Sequence, residues 1–125
     1  MRNYFRLTVL LSPLLFAPSP LLPANEAVSL EVSWNNPFNP SQGETTRFDY
    51  IVRGQESPVR LMIFSADGRL VATLAEHVAQ ADKLYSQAWD GRNAEGRLVD
   101  SGVYFASLDA GRWQRKVKRV AVLRE

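Results

Sequence analysis

The sequence contains no cysteine and only one histidine, His77, among its 125 residues. The absence of cysteine excludes thiol catalysis, thiolate metal sites and disulfide bonds, and one histidine cannot form a multi-histidine metal site. A Ser–His–Asp triad can be written only from Ser65, His77 and Asp67, whose spacing resembles neither a nucleophile elbow nor an oxyanion loop. No glycine-rich phosphate loop is present either. The sequence therefore predicts a protein that is not an enzyme and uses no cofactor or metal.

The composition is that of one globular domain. Hydrophobic residues make up 46% and charged residues 22% of the chain, which is ordinary for a folded protein. Seven glycines and seven prolines indicate many turns. A domain of this size without disulfides has to be stabilised by its core alone.

The N-terminal residues have the pattern of an export signal. Arg2 and Arg6 precede an apolar run over residues 7–16, and small residues such as Ala24 follow it. We therefore expect residues 1–27 to be a signal peptide, with an uncleaved membrane anchor as the alternative. Four prolines before Ala24 argue against a spanning helix. The protein is then exported to the periplasm or cell surface.

Residues 28–125 have the pattern of an all-β domain. Residues 28–34 alternate apolar and polar side chains, as a half-buried strand does, and Asp67-Gly68 is a strong hairpin signal. Residues 59–64 are almost wholly apolar, which predicts a central strand covered on both faces. About seven strands with regular turn signals predict an Ig-like, fibronectin III-like antiparallel β-sandwich. Strand alternation places Trp34 and Trp89 inside it.

Two stretches do not follow this pattern. Residues 75–82 fit a loop or one helical turn. In the last strand, residues 113–123, the apolar alternation changes phase at Lys118 and Arg119, which predicts a β-bulge there.

Five stretches resemble the Ig-like domain of flagellar hook-capping proteins and the similar C-terminal sorting domain of type IX secretion cargo. They are NPFNPS (36–41), residues 45–48, residues 63–74, WDGRNAEGRLVDSGVYF (89–105) and residues 116–123. The resemblance implies an Ig-like fold. In those families the module belongs to a longer chain, whereas here it fills nearly the whole exported part. We therefore expect a stand-alone accessory subunit.

A basic segment at the C-terminus is the candidate contact patch. Residues 112–124 carry six basic residues and no acidic one, and aromatic residues and arginine are favoured at protein interfaces. The alternative is a core Trp113 with solvated arginines beside it. The predicted partner-binding residues are Arg112, Trp113, Arg115, Lys116, Lys118 and Arg119, with Phe38 second.

The oxygen-rich stretch Asp90, Asn93 and Glu95 has two interpretations. Its register does not fit an EF-hand, because Gly91 and Gly102 would occupy the first and last ligand positions. Asx turns are favoured over a loose calcium site.

Together these features predict a non-catalytic, exported scaffold subunit that docks through its β-sandwich to a larger envelope or membrane complex. The expected partner is a protein, with contact to anionic lipid as an addition and no nucleic acid. The alternatives are a type IX-like sorting or surface-attachment domain and a glycan- or protein-binding adhesin module.

Overall fold

A computed structural model describes residues 26–125, which form two antiparallel β-sheets. The strands are β1 (Val28–Trp34), β2 (Thr46–Val52), β3 (Ser57–Ser65), β4 (Leu70–Ala79), β5 (Leu84–Trp89), β6 (Gly102–Ala110) and β7 (Gln114–Val122), with one 3₁₀ helix at Pro40–Gln42. One sheet has the order β1-β2-β5 and the other β4-β3-β6-β7. The all-β, Ig-like sandwich of seven strands is confirmed.

The predicted signal peptide or anchor lies almost wholly outside the described residues. Within residues 26–125, no helix is long and apolar enough to cross a membrane.

The core lies between the sheets and is centred on aromatic side chains. Trp89 is 2% exposed, as predicted, and its ring meets those of Phe38 and Tyr104 edge-on at 5.5 and 5.6 Å. The indole N–H donates to the carbonyl of Arg92 at 3.0 Å, so the buried polar atom is satisfied. Edge-to-face contacts of this kind stabilise a core beyond the area they bury.

A tyrosine corner fixes the start of β6. The Tyr104 hydroxyl donates to the Asp100 carbonyl, four residues earlier, at 2.8 Å. This bond, from a tyrosine near the start of the sixth strand to the backbone just upstream, is a hallmark of Ig-like sandwiches. Burial raises the pKa of Tyr104, which favours the protonated, donating form of the hydroxyl.

The prediction that Trp34 faces inward is wrong. The register of β1 on β2 shifts between Val32 and Trp34, so Ser33 is an extra residue. An extra residue reverses the alternation beyond it. Trp34 therefore pairs with Arg47 and is 60% exposed.

Residues 75–82 are mostly strand, since β4 continues to Ala79. The register of β3 on β4 shifts twice, which leaves Val71 and Leu74 as extra residues and hides the alternation from the sequence. His77 consequently faces the other sheet and is half-buried. Its Nε2 lies 2.8 Å from the Tyr50 hydroxyl, and its ring lies 4.7 Å from that of Tyr85.

The bulge predicted in β7 is absent. The strand pairs with β6 in continuous register from Gly102 opposite Val122 to Ala110 opposite Gln114. Lys116 and Lys118 therefore share the inward face with buried Val122. They lie at the side of the sandwich next to β1, where their ammonium groups reach carboxylates.

Candidate docking surface

Two turns meet at one end of the sandwich, which we call the tip. Because β3 and β6 are antiparallel neighbours, the β2–β3 turn (53–56) and the β6–β7 turn (111–113) lie side by side. The Gly111 N–H donates to the Pro58 carbonyl at 2.9 Å, which ties the second turn to the start of β3, directly after the first turn. Gly111 has a φ of +63°, a value that favours glycine.

Trp113 projects from the tip with 84% of its surface exposed. The Arg112 guanidinium lies 5.6 Å from its ring centroid, within the range of a cation–π contact. The alternative that Trp113 belongs to the core is therefore wrong. An exposed indole beside arginine is the combination that contributes most at protein interfaces.

A cavity of about 230 Å³ at the tip is lined in part by Trp113. Its lining includes Arg53, Gln55, Arg112 and Gln114. No carboxylate is among the described residues that line it. The cavity therefore offers guanidinium and amide donors to an anionic group such as a carboxylate.

Arg53 gives the cavity a fixed wall. Its Nη1 donates to the Glu26 carbonyl at 2.8 Å and to the Ser29 hydroxyl at 2.9 Å. These bonds hold the side chain in one orientation, so little rotamer freedom is lost when a ligand binds. Sequence reasoning missed Arg53 and Gln55. The signal that could have found them is the antiparallel pairing of β3 with β6, which brings their turns together.

Two of the predicted basic residues are engaged inside the domain. Lys116 forms an ion pair with Glu26, and Lys118 Nζ lies 3.1 Å from a Glu31 carboxylate oxygen. The hydrogen bond from Lys116 lowers the pKa of Glu26. Both lysines thus join β7 to the N-terminal edge of the other sheet.

Arg115 and Arg119 lie on the outer face of the four-stranded sheet, turned away from the other sheet. Arg115 binds Asp109 through two hydrogen bonds of 2.6 and 2.9 Å, and this contact lowers the pKa of Asp109. Arg119 is exposed, and its guanidinium makes no hydrogen bond or ion pair with the described residues. The structure therefore spreads the predicted patch over the tip, the inter-sheet side and the outer face.

Phe38 does not belong to the contact surface, which corrects the prediction. It is 1% exposed and packs on Trp89. Its N–H donates to the Ala121 carbonyl at 3.2 Å, and its carbonyl accepts from the Leu123 N–H at 2.9 Å. These backbone bonds lay the loop along the edge of β7 and carry the ring into the core.

Asn36 extends this cover along β7. Its side-chain oxygen accepts from the Ala121 N–H at 2.9 Å, and its amide nitrogen donates to the Arg119 carbonyl at 3.3 Å. One side-chain amide thus replaces the backbone of a neighbouring strand. The edge of β7 between Arg119 and Leu123 is occupied from within the chain.

The oxygen-rich turn after β5 is held by Asx turns, as favoured from the sequence. Asp90 Oδ1 accepts from the Arg92 N–H at 3.1 Å. Asn93 Oδ1 accepts from the N–H groups of Glu95 and Arg97, both at 3.0 Å. The side-chain oxygens therefore serve to shape the turn.

Comparison with known proteins bears on the fold. No protein-family model matches the sequence, and no curated protein matches it. A part of PorZ from Porphyromonas gingivalis, described as an essential bacterial surface component of the type IX secretion system, is similar with 25% identity and a TM-score of 0.51. The match covers 78% of this chain and 11% of PorZ.

Two further structures match most of this chain. Dimeric latent PorU from the same organism matches with 17% identity and a TM-score of 0.59, over 83% of this chain and 10% of PorU. A β-glucosidase from Listeria innocua has 13% identity and a TM-score of 0.43, over 76% of this chain and 16% of the enzyme. This chain thus spans about a tenth of the length of PorZ and of PorU. An Ig-like sandwich of this kind is present in a type IX secretion component.

Proposed function

We propose that this protein is a non-catalytic, exported module of a type IX-like secretion apparatus that docks a protein partner through its tip. The observation that carries the proposal is the likeness to part of PorZ, which extends over 78% of this chain. PorZ is a surface component of a secretion system, so an equivalent module here has a role in assembling such a complex. The stretches that resemble type IX sorting domains support the same assignment independently.

The tip supplies the contact that this function needs. Trp113 provides a large, stiff and amphipathic anchor, which loses little conformational entropy on binding. Arg53 and Arg112 line the same cavity and can donate to a carboxylate once water is displaced. The partner segment that fits therefore carries an acidic side chain, or a chain-terminal carboxylate, next to an apolar side chain.

A comparison of two exposed tryptophans tests this assignment. Trp113 lies at the tip, whereas Trp34 ends β1 at the other end of the sandwich and is 60% exposed. Trp113→Ala should weaken capture of the partner from native envelopes by about 10-fold or more, the effect of a hot-spot residue. Trp34→Ala removes a similar exposed indole and should leave capture unchanged.

The measurement is quantitative crosslinking followed by mass spectrometry on intact envelopes, with both variants expressed at the wild-type level. Equal recovery of secretion-system proteins by the two variants would show that the tip is not the docking site. Recovery of no envelope protein by the wild type would refute the proposed function itself.

A further inference from the structure

The outer face of the four-stranded sheet has an apolar half. Residues 59–64 were expected to form a strand covered on both faces, and β3 is indeed central, with its inner face buried. On the outer face, Phe64 lies directly opposite Phe105 and both are half-buried. Val103 and Val117 nearby are 44% and 49% exposed, and Arg119 on β7, opposite Phe105, is the charged residue at the edge of this otherwise apolar half. The outer face of an antiparallel sandwich is ordinarily polar, so exposed apolar side chains on this face indicate a surface that another molecule covers.

The other half of this face carries a row of alternating charges. Glu76 on β4, Arg60 on β3, Asp109 on β6 and Arg115 on β7 lie directly opposite one another across the sheet. Arg60 Nη2 lies 2.9 Å from Glu76 Oε2, and Arg115 Nε lies 2.6 Å from Asp109 Oδ1. From one edge to the other the signs are therefore negative, positive, negative, positive.

This order of signs is complementary to itself. Consider a two-fold axis that lies above the outer face, parallel to the strands and midway between β3 and β6. Rotation about this axis places β3 of one copy over β6 of the other. Arg60 then faces Asp109 of the second copy, and Glu76 faces Arg115. The same rotation stacks Phe64 on Phe105. An isologous dimer requires such a surface, in which each residue meets its complement by symmetry.

We propose that a second copy of this chain covers the outer face about that axis. The apolar half supplies the attraction, and the charge row fixes the orientation, because charges at interfaces contribute more to register than to affinity. Arg60 and Asp109 lie on the two central strands, where the twist between stacked sheets displaces facing residues least. This inference does not rest on the proposed docking of the tip.

The size of the face sets the strength of the dimer. The face is four strands wide, with about 4.8 Å between strands, and extends about 20 Å along them. Its footprint is therefore roughly 400 Å² per copy. Stable complexes bury about 800 Å² per partner, so association is weak and rises with protein concentration.

Charge complementation tests the orientation. Arg60→Glu alone sets a carboxylate opposite Asp109 of the second copy, and Asp109→Arg alone sets two guanidinium groups face to face. Each variant should therefore sediment as a monomer at concentrations where wild type forms dimers. When the two variants are mixed, both facing pairs regain opposite signs and dimers should return, because each contact then joins a carboxylate to a guanidinium.

The experiment is sedimentation velocity on the purified full chain over a range of concentrations, with circular dichroism to verify folding. If a single change unfolds the domain, the variant with Arg60→Glu, Glu76→Arg, Asp109→Arg and Arg115→Glu replaces it. That variant keeps every pair within the chain, should self-associate as wild type does, and should not mix with wild type.

Three results would overturn the proposal. Wild type that stays monomeric at the highest concentration rules out a second copy and leaves a different protein as the occupant. Single variants that dimerise like wild type show that the charge row does not face its counterpart. Free mixing of the fourfold variant with wild type points to association through another surface, including the N-terminal segment that both proteins share. Loss of dimers would leave capture of partners by Trp113 unaffected.

Discussion

Replacing Gly91 with alanine should destabilise the domain strongly, because the residue combines two constraints. Its φ is +77°, where residues other than glycine are disfavoured. A Cβ added there would lie 2.6 Å from Pro40 Cβ and 3.4 Å from Phe38 Cε2. Its backbone is also fixed, since its carbonyl accepts from the Val99 N–H at 2.8 Å. The turn after β5 and the loop before β2 thus meet at a glycine.

Gly96 is the matched control. Its φ is +83°, and nothing lies within 4 Å of an added Cβ. Gly96→Ala therefore has only the conformational cost of about 1–2 kcal/mol, offset in part by about 0.4–1 kcal/mol because alanine restricts the unfolded chain. Gly91→Ala adds the cost of overpacking, typically about 1–3 kcal/mol. We expect losses of about 1 kcal/mol at Gly96 and about 2–4 kcal/mol at Gly91.

Urea unfolding followed by tryptophan fluorescence measures both values, because Trp89 is buried beside this contact. A domain of this size has about 5–15 kcal/mol of stability, so Gly91→Ala should move the midpoint clearly while remaining folded in water. If Gly91→Ala and Gly96→Ala lose the same free energy, the close approach of Gly91 to Pro40 is not a constraint and the reasoning fails.

Two further changes follow from the ion pairs and from the burial of β7. Asp109→Asn should cost about 0.5–1 kcal/mol near neutral pH, as expected for a surface pair whose arginine is exposed and whose carboxylate is half-buried. Because Arg115 lowers the pKa of Asp109 in the folded state, this stabilisation is present above the unfolded pKa and disappears as pH falls through the folded value. Urea titrations at several pH values should therefore show the two proteins converging below about pH 4, and a constant difference would contradict the assignment. Deleting residues 112–125 should unfold the domain, since it removes Val120 and Val122 from the core, and near-UV circular dichroism that stays native would contradict this.

The architecture could be predicted because each strand carries its own alternation and each turn its own residues. Trp89 followed by Asp90-Gly91 is such a local signal, and the structure confirms both the buried indole and the Asx turn. The predictions fail where an extra residue interrupts the alternation of inward and outward side chains along a strand. The extra Ser33 in β1 turns Trp34 outward, and the extra residues in β4 disguise a strand as a loop.

The contact surface was less predictable because it depends on contacts distant in sequence. Trp113 could be found from its basic neighbours. Phe38 also looks like an exposed aromatic residue in the sequence, but backbone hydrogen bonds to residues 121 and 123 hold its loop against β7, and its ring is buried. Lys116 and Lys118 look like free charges until β1 brings Glu26 and Glu31 beside them. These contacts join residues that are far apart in the sequence, so no local sequence pattern predicts them.

The edge of β7 shows why side chains, and not backbone pairing, are the basis of the proposed docking. Asn36 and Phe38 occupy the backbone groups between Arg119 and Leu123. Over the first half of the strand, Lys116 and Lys118 point inward, and inward-pointing lysines on an edge strand discourage the addition of another strand. A partner strand would therefore have to displace the loop or bury both ammonium groups. If the folded domain carries a type IX-like sorting signal in this strand, the secretion machinery must recognise exposed side chains such as Arg119. Substitution of Arg119 tests this role and leaves the core intact, whereas deletion of residues 112–125 destroys the core.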